Sequence, residues 1–156
     1  MLLDGLNVRE NILLPRIIKG DAGKEAETMA DELCDLFGIS QIAQKYPAEI
    51  SGGERQRTAV ARALINEPLL ILADEPTGNL DSKSSRAVID AFLRARDSLS
   101  ATIFMVTHDS FSASFCDRVI LLRDGQVYRE LHRLDDRRAF HDLLLEAIKE
   151  MSGDAK

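Results

Sequence analysis

Residues 51–57 read Ser-Gly-Gly-Glu-Arg-Gln-Arg and residues 69–77 read Leu-Leu-Ile-Leu-Ala-Asp-Glu-Pro-Thr, and these two stretches decide the fold. The first places a hydroxyl and two residues without side chains at the start of a predicted helix. Unpaired N–H groups and the positive end of the helix dipole favour a phosphate there. The second is an apolar run that stops at Asp74 and Glu75, which predicts a buried strand delivering two acids to a sheet edge. The first stretch therefore predicts an anion-binding site at Ser51, Gly52 and Gly53, the anion seat. The second predicts an Mg²⁺ ligand beside a water-activating base.

Each stretch also has a purely structural interpretation. Ser51, Gly52 and Gly53 are common at helix starts for local reasons, and paired acids usually lie at a solvated strand end. The complete run of residues 51–57, and its distance from the acids, favour the anion seat. Four aliphatic residues before Asp74 and a turn-forming segment after Glu75 favour a functional role for the acids. Asp81 or Ser82 is expected to cap the helix that follows.

Composition restricts the class of protein. A chain of 156 residues suits one domain, which buries roughly two-thirds of its unfolded surface. The formal charge of −6 argues against a nucleic-acid-binding surface. No apolar run approaches the ~20 residues that span a bilayer, and no leader pattern opens the sequence, so a cytoplasmic protein is expected. Cys34 and Cys116 have no metal-ligand spacing and are expected to be buried thiols.

Two helices are predicted before residue 51. Asn7 and Glu10 form a capping box for the first, and Pro15 is expected to bend or end it. Residues 20–25 superficially resemble a phosphate loop, but Ile18 stands where the first glycine is required and an acid follows the Gly-Lys pair. A second helix that is capped by Asp21 and ends at Gly38 is the better interpretation.

A second buried strand is predicted over residues 102–106, and Thr107, His108 and Asp109 follow it. A lone histidine is more often structural than catalytic. However, α/β sheets bind ligands at the carboxyl ends of their strands, which favours a functional His108.

The C-terminal third contains a hairpin and a helix. Asp124 and Gly125 predict a hairpin turn, whereas His132 and His141 lack a functional context and are expected on the surface. The helix from about Arg137 is amphipathic. It packs either on its own domain or on a partner.

Four motifs occur in the order found in ATP-binding-cassette (ABC) ATPases: the signature Ser51-Gly52-Gly53-Glu54, the Walker B stretch 70–75, the D-loop Asn79-Leu80-Asp81 and the switch His108. From residue 1 to about residue 132 the chain resembles this family. Residues 54–57, 73–81 and 107–109 resemble the branch of macrolide exporters, lipoprotein releasers and antimicrobial-peptide resistance systems. Residues 2–12 and 112–118 are most similar to bacitracin-type peptide-resistance transporters.

The resemblance implies an α/β fold: a partial P-loop NTPase (RecA-like) core with a mostly parallel sheet, plus an α-helical subdomain. It implies three segments. Residues 1–50 are a remnant of the Q-loop region and helical subdomain, 51–134 are the signature, Walker B, D-loop and switch part of the core, and 135–156 are a C-terminal amphipathic helix.

The resemblance also implies the role of each site residue, with ATP and Mg²⁺ as cofactors. Asp74 would hold Mg²⁺, Glu75 would orient and polarise the attacking water, and His108 would contact the γ-phosphate. The remaining residues would act on a nucleotide held by a second subunit. They are the anion-seat residues Ser51, Gly52 and Gly53, their neighbour Glu54, which departs from the usual Gln, and Asp81, which would bridge the two subunits.

The family's Walker A phosphate loop, adenine-stacking aromatic residue and Q-loop glutamine would precede Met1. An N-terminally truncated subunit is therefore expected, which alone binds ATP poorly and hydrolyses it negligibly. The resemblance implies a homodimer with sandwiched nucleotide, a membrane-spanning permease as partner, a place on the inner face of the membrane, and no nucleic acid.

Three functional hypotheses follow. The first is a truncated ATPase subunit that energises export or removal of antimicrobial peptides, macrolides or lipoproteins. The second is a non-catalytic interaction protein that retains the signature face, and intact Glu75 and His108 count against it. The third, an ABC ATPase acting on DNA or ribosomes, lacks support because no long coiled-coil or basic segment is present.

Overall fold

The computed structural model describes residues 1–78, 80–134 and 136–153, so Asn79 of the predicted D-loop lies outside the described residues. The chain forms two compact units, Met1–Val106 and Thr107–Lys156. In chain order the elements are α1 (Val8–Ile18), α2 (Lys24–Leu36), α3 (Gly52–Leu64), β1 (Leu70–Asp74), α4 (Ser82–Leu99), β2 (Thr102–Val106), α5 (Ser110–Ala113), β3 (Arg118–Arg123), β4 (Gln126–His132) and α6 (Arg137–Gly153), with 3₁₀ turns at Ser40–Ile42 and Pro47–Glu49.

The first helix begins as predicted but continues further. Asn7 and Glu10 form the capping box, in which Asn7 Oδ1 accepts from the Glu10 N–H at 2.8 Å and Glu10 Oε2 accepts from the Asn7 N–H at 2.8 Å. Pro15 lies inside the helix, which runs on to Ile18. Pro15 therefore does not end α1.

The second helix has a different cap from the predicted one. Its N-cap is Gly23, without a side-chain hydrogen bond, because the Asp21 carboxylate pairs instead with the Arg16 guanidinium at 2.5 Å. The prediction that Asp21 caps α2 is wrong. The helix ends at Leu36, and Gly38 follows with a φ of +62°, a left-handed conformation that suits glycine.

Four helices and two strands build the core of the first unit. α1 packs on α2 and α3, and α3 packs on α4. The apolar stripe of each helix supplies buried side chains, which include Val8, Ile12, Ala30, Leu33, Val60, Leu64, Val88 and Phe92. This packing fixes the starts of α3 and α4, where the predicted site residues lie.

The strands β1 and β2 are parallel, with Asp74 opposite Val106 in the register. Ile71 is 6% exposed and lies on the face that packs on the core. Leu72 and Phe104 lie on the opposite face and are 74% and 55% exposed. The prediction that both strands are buried is therefore wrong for the described residues, whose packing covers only one face of this two-stranded sheet.

The second unit is a hairpin covered by a helix. β3 and β4 are antiparallel, and Asp124 and Gly125 connect them with φ angles of 52° and 76°, as a two-residue hairpin turn requires. Phe140, Leu144 and Ala147 of α6 are buried with Leu131 of β4. The amphipathic helix thus packs on its own unit, the first of the two alternatives.

The thiols differ in their environments. Cys34 on α2 is buried, and this burial raises the pKa of its thiol to about 11. Cys116 is half-buried, so the expectation of two buried thiols holds fully only for Cys34. None of the helices in the described part of the chain combines the length and the apolar character that crossing a bilayer requires.

Candidate functional site

The predicted anion seat lies at the start of α3, with Ser51 as the N-cap. The Ser51 N–H and Oγ each donate to Glu54 Oε2 at 2.8 Å, and the Glu54 N–H donates to Ser51 Oγ at 3.3 Å. These bonds form a capping box. Glu54 therefore binds the same serine groups that the family resemblance assigns to a phosphate.

The charge of Glu54 is favoured at this helix start. The Ser51 N–H lowers the pKa of the Glu54 carboxyl, and its desolvation opposes this shift; the Ser51 hydroxyl, Arg57 and Lys45 lower the pKa further. Gly52 and Gly53 occupy the first two positions of α3, whose N–H groups have no carbonyl partner within the helix. Gly52 is exposed and presents its helix-terminal N–H at the surface, whereas Gly53 is buried.

The start of α3 packs against the start of α4. A Cβ placed on Gly52 would lie 3.1 Å from Leu80 Cδ2, and one on Gly53 would lie 3.0 Å from the Cβ of Ser84. Both distances are shorter than ordinary carbon contacts. The glycines of the anion seat therefore also allow α3 and α4 to approach closely.

Asp81 is the N-cap of α4, as one of the two predicted alternatives required. Its Oδ1 accepts from the Lys83 and Ser84 N–H groups, each at 2.9 Å, and its Oδ2 accepts from Ser84 Oγ at 2.7 Å. The Ser84 N–H is the largest of the contributions that hold the pKa of Asp81 below its ordinary value. Ser84 thus contacts both the anion seat and Asp81.

The two acids of the Walker B stretch lie at the carboxyl end of β1. Asp74 is the last residue of the strand and is exposed, and Glu75 is half-buried. The Glu75 N–H donates to the Val106 carbonyl of β2 at 2.9 Å, and its own carbonyl accepts from the Gly78 N–H at 3.1 Å. Glu75 has a φ of +43°, which is uncommon for a residue other than glycine. The strand pairing and the following turn hold this conformation.

The donor set at this strand end fits Mg²⁺. The ion prefers oxygen ligands and is usually bound by one or two carboxylates together with water and substrate phosphates. Asp74 offers such a carboxylate on a rigid strand end. The described residues contain no cluster of three or more acidic, histidine or cysteine ligands.

His108 lies in the second unit and is exposed. The residues beside it are tied together, because the Asp109 N–H donates to Thr107 Oγ1 at 3.1 Å. Asp109 caps α5 by accepting from the N–H groups of Phe111 and Ser112, both at 3.1 Å. Desolvation raises the pKa of Asp109. Hydrogen bonds from the Ser112 side chain and from these N–H groups outweigh that effect and hold the pKa below its ordinary value.

A comparison with protein families identifies the chain. The family model described as ABC transporter matches residues 1–78, which is half of the 156 residues. The chain belongs to the ABC transporter family. This finding confirms the family that the four motifs predicted.

Curated ABC relatives are similar along most of the chain. YvcR of Bacillus subtilis, an uncharacterized ABC transporter ATP-binding protein, is 45% identical over 98% of the chain and 59% of its own length. The bacitracin export ATP-binding protein BceA of Halalkalibacterium halodurans is 48% identical over 92% of the chain and 57% of its own length. The lipoprotein-releasing system ATP-binding protein LolD of Treponema pallidum is 46% identical over 82% of the chain and 57% of its own length. The chain thus spans less than two-thirds of the relatives it matches.

Solved ABC structures share the fold. The ATP-binding cassette MJ0796 in a dimeric post-hydrolysis state with ADP and Pi has a TM-score of 0.70 and 38% identity, covering 84% of this chain and 58% of that chain. A dimeric structure of MJ0796 as a bacterial ABC transporter cassette has a TM-score of 0.71 and 38% identity, again covering 84% of this chain and 58% of that chain. The predicted α/β class with a P-loop NTPase core is confirmed.

The structure brings some predicted site residues together and adds others. Ser51, Gly52, Gly53 and Glu54 share the start of α3, beside the start of α4 that Asp81 caps, while Asp74 and Glu75 share the end of β1. Sequence reasoning missed Ser84, although a serine three positions after a capping aspartate is a local signal for such a bond. It also assigned His141 to the surface, whereas this residue is half-buried.

Proposed function

We propose that this chain is part of the ATP-hydrolysing subunit of an ABC transporter, in which the residues above bind Mg²⁺-ATP and split its γ-phosphate bond. One observation supports this proposal above all. The signature residues and Asp81 cap two helices that contact each other, and the Walker B acids end a strand of the same unit. Phosphoryl transfer requires positioned charges more than covalent catalysis, and such termini position charges rigidly.

Each residue then has a defined task. Asp74 would supply a carboxylate oxygen to Mg²⁺, which neutralises phosphate charge when bound. Glu75 would accept the proton of the water that attacks the γ-phosphorus as the bond to the β-phosphate oxygen breaks. His108 would donate to a γ-phosphate oxygen. The unusual backbone of Glu75 restricts where its carboxylate can point, which suits a positioned base.

A second copy of the subunit would complete the site. The amides of Gly52 and Gly53, with Ser51, would close over the γ-phosphate of a nucleotide bound to the other copy, and Asp81 would bridge the two copies. The dimeric MJ0796 cassettes, one with ADP and Pi, support this arrangement. Glu54 would have to share the Ser51 groups with that phosphate.

The transport role is proposed from the relatives. BceA is named for bacitracin export and LolD for lipoprotein release, and both are more than 45% identical to this chain over the matched residues. We therefore infer a membrane-spanning permease as partner at the cytoplasmic face. The cargo would be an antimicrobial peptide, a macrolide or a lipoprotein.

A chimaera tests the catalytic part. The 156 residues would replace the matched region of YvcR, and Mg²⁺-dependent ATP hydrolysis would be measured. Glu75→Gln should then lower kcat by ~10²–10⁴, the usual contribution of a positioned base. Glu67→Gln is the matched control, because Glu67 also precedes a proline and also has a positive φ, of 49°. Undiminished turnover in the Glu75 variant would show that the base is misassigned.

A further inference from the structure

The second unit contains a set of polar contacts that the proposed reaction does not explain. They join the start of α6 to α5, the single helical turn that follows His108. Ser110 Oγ and His141 Nε2 are 3.2 Å apart and hydrogen-bonded, with both groups partly buried. Arg137, one turn earlier on the same helix face, donates to Ser114 Oγ at 3.2 Å.

Aromatic contacts strengthen the same junction. The Arg137 guanidinium carbon lies 4.6 Å from the centroid of the Phe115 ring and 5.9 Å from that of Phe111. The two rings pack edge to face at 5.2 Å. Cation–π contacts of this kind are attractive. α5 is thus held from one side by two residues of α6.

α6 is also anchored by contacts other than those of Arg137 and His141. Phe140, Leu144 and Ala147 are buried with Leu131 of the hairpin, and Ala113 of α5 packs against the same cluster. At the other end of α6, Arg123 Nη1 donates to the Met151 carbonyl at 2.9 Å, and Arg129 pairs with Glu150 at 2.8 Å. The contacts from Arg137 and His141 therefore join the short helix α5 to a helix that is anchored elsewhere along its length.

A short relay connects His141 to the residues on either side of His108. Ser110 is the first residue of α5, and its neighbour Asp109 caps that helix. The Asp109 N–H in turn bonds to Thr107 Oγ1 at 3.1 Å, which closes a turn around His108. A helix of four residues is too short to be stable by itself, so this turn depends on its outside supports.

We propose that His141 is a positioning residue for His108, acting through Ser110 and the Asp109 cap. This inference rests on the proposed function only in giving His108 a role in hydrolysis. The positioning itself is a property of the second unit. Its test therefore uses a signal from His108 and no ATPase assay, so that failure of either proposal can be told from failure of the other.

The experiment is nuclear magnetic resonance of the isotope-labelled 156-residue chain. The sequence has three histidines, so each imidazole signal is assigned by the variant that removes it. His141→Ala should shift the His108 ring signals by more than their linewidth. It should also speed amide exchange at Phe111 and Ser112 about fivefold to tenfold, as expected for one lost hydrogen bond.

Three further variants separate positioning from general packing. His141→Gln retains a group that can bond to Ser110 and should restore the His108 signals. His132→Ala removes an exposed histidine that pairs with Glu130 at 2.8 Å in the same unit, and it should leave them unchanged. Ser110→Ala should speed exchange at Phe111 and Ser112 by the same factor, with no further gain when combined with His141→Ala.

Unaltered His108 signals and exchange rates in His141→Ala would overturn the proposal. So would a His141→Gln variant that behaves like His141→Ala, because the ring's volume and not its hydrogen bond would then be responsible. If His141→Ala loses the fold of the unit, the Ser110→Ala exchange rates decide instead. Unchanged rates in that variant would equally overturn the proposal.

Discussion

Gly53 and Ser84 approach each other so closely that a Cβ on Gly53 would lie 3.0 Å from the Ser84 Cβ and 3.2 Å from its Oγ. Gly53 belongs to the start of α3 and Ser84 to the start of α4, whose Asp81 cap binds the same serine hydroxyl. One contact therefore joins the anion seat to the residue that is proposed to bridge two subunits. A substitution of Gly53 should therefore affect both the start of α3 and the Asp81 cap of α4.

We predict that Gly53→Ala destabilises the chain by ~1–3 kcal/mol through overpacking, a cost larger than the helix propensity that alanine gains. Urea denaturation measures it. Gly5→Ala is the control, because nothing lies within 4 Å of a Cβ at that position, and it should change stability far less. Ser84→Gly itself removes a bond to Asp81 and adds a helix glycine, so that single variant is the baseline for the double variant. Gly53→Ala should cost less in the Ser84→Gly background than in the parent chain, because that background lacks the opposing Cβ. An equal cost in both backgrounds would contradict the contact.

The features that the sequence predicted correctly are local. The Asn7 capping box, the Asp81 cap and the turn at Asp124 and Gly125 each depend on residues within three positions of one another, so their side-chain chemistry determines them. The strand ending at Asp74 was predictable for a similar reason, because an apolar run and a following turn define it.

The features that sequence reasoning missed are tertiary. Asp21 was predicted to cap α2, but it pairs with Arg16 at the end of α1, a contact that no helix signal in the second segment reveals. The approach of Gly53 to Ser84 and the bond between Ser110 and His141 join residues 31 positions apart in each case. Helix packing determines them, and neither has a spacing that a motif search detects.

Neighbouring positions on β1 should respond very differently to truncation. Ile71 is 6% exposed and faces the helices, whereas Leu72 is 74% exposed on the opposite face. We expect Ile71→Ala to cost ~2–5 kcal/mol, because it leaves a cavity, and Leu72→Ala to stay within about 0.5 kcal/mol of the parent chain. Chemical denaturation of the two variants checks this. Similar losses would mean that the Leu72 face is covered in solution.

The stability of the chain should depend on pH through Glu54. Its bonds to Ser51 hold the pKa of the Glu54 carboxyl below the ordinary value of 4.5 in the folded chain. The charged form therefore contributes stability that is present above pH 4.5 and is lost as the pH falls through the lower, folded pKa. The difference in the free energy of unfolding between the parent chain and the Glu54→Gln variant should be constant near neutral pH and should shrink in acid.

A second variant identifies the source of this pH dependence. Ser51→Ala removes the hydroxyl that donates to Glu54 but keeps the N–H that also donates. In chains that carry Ser51→Ala, the free-energy difference between Glu54 and Glu54→Gln should change less with acid, but it should still change. A difference that is identical with and without the Ser51 hydroxyl would assign the pKa shift to the backbone alone.

The two thiols should react at very different rates, and the slower one should report on opening of the first unit. Burial raises the pKa of Cys34 to about 11, so at pH 8 about one Cys34 in a thousand is ionised, and its sulfur is also covered. Iodoacetamide should therefore modify Cys116 first, as mass spectrometry can follow.

Because Cys34 lies on α2 among core residues, its alkylation requires that helix to separate from α1 and α3. Low urea should consequently speed the reaction of Cys34 far more than that of Cys116, and Gly53→Ala should do the same if it weakens the unit as a whole. Equal rates for the two thiols without urea would show that α2 is open in the native chain.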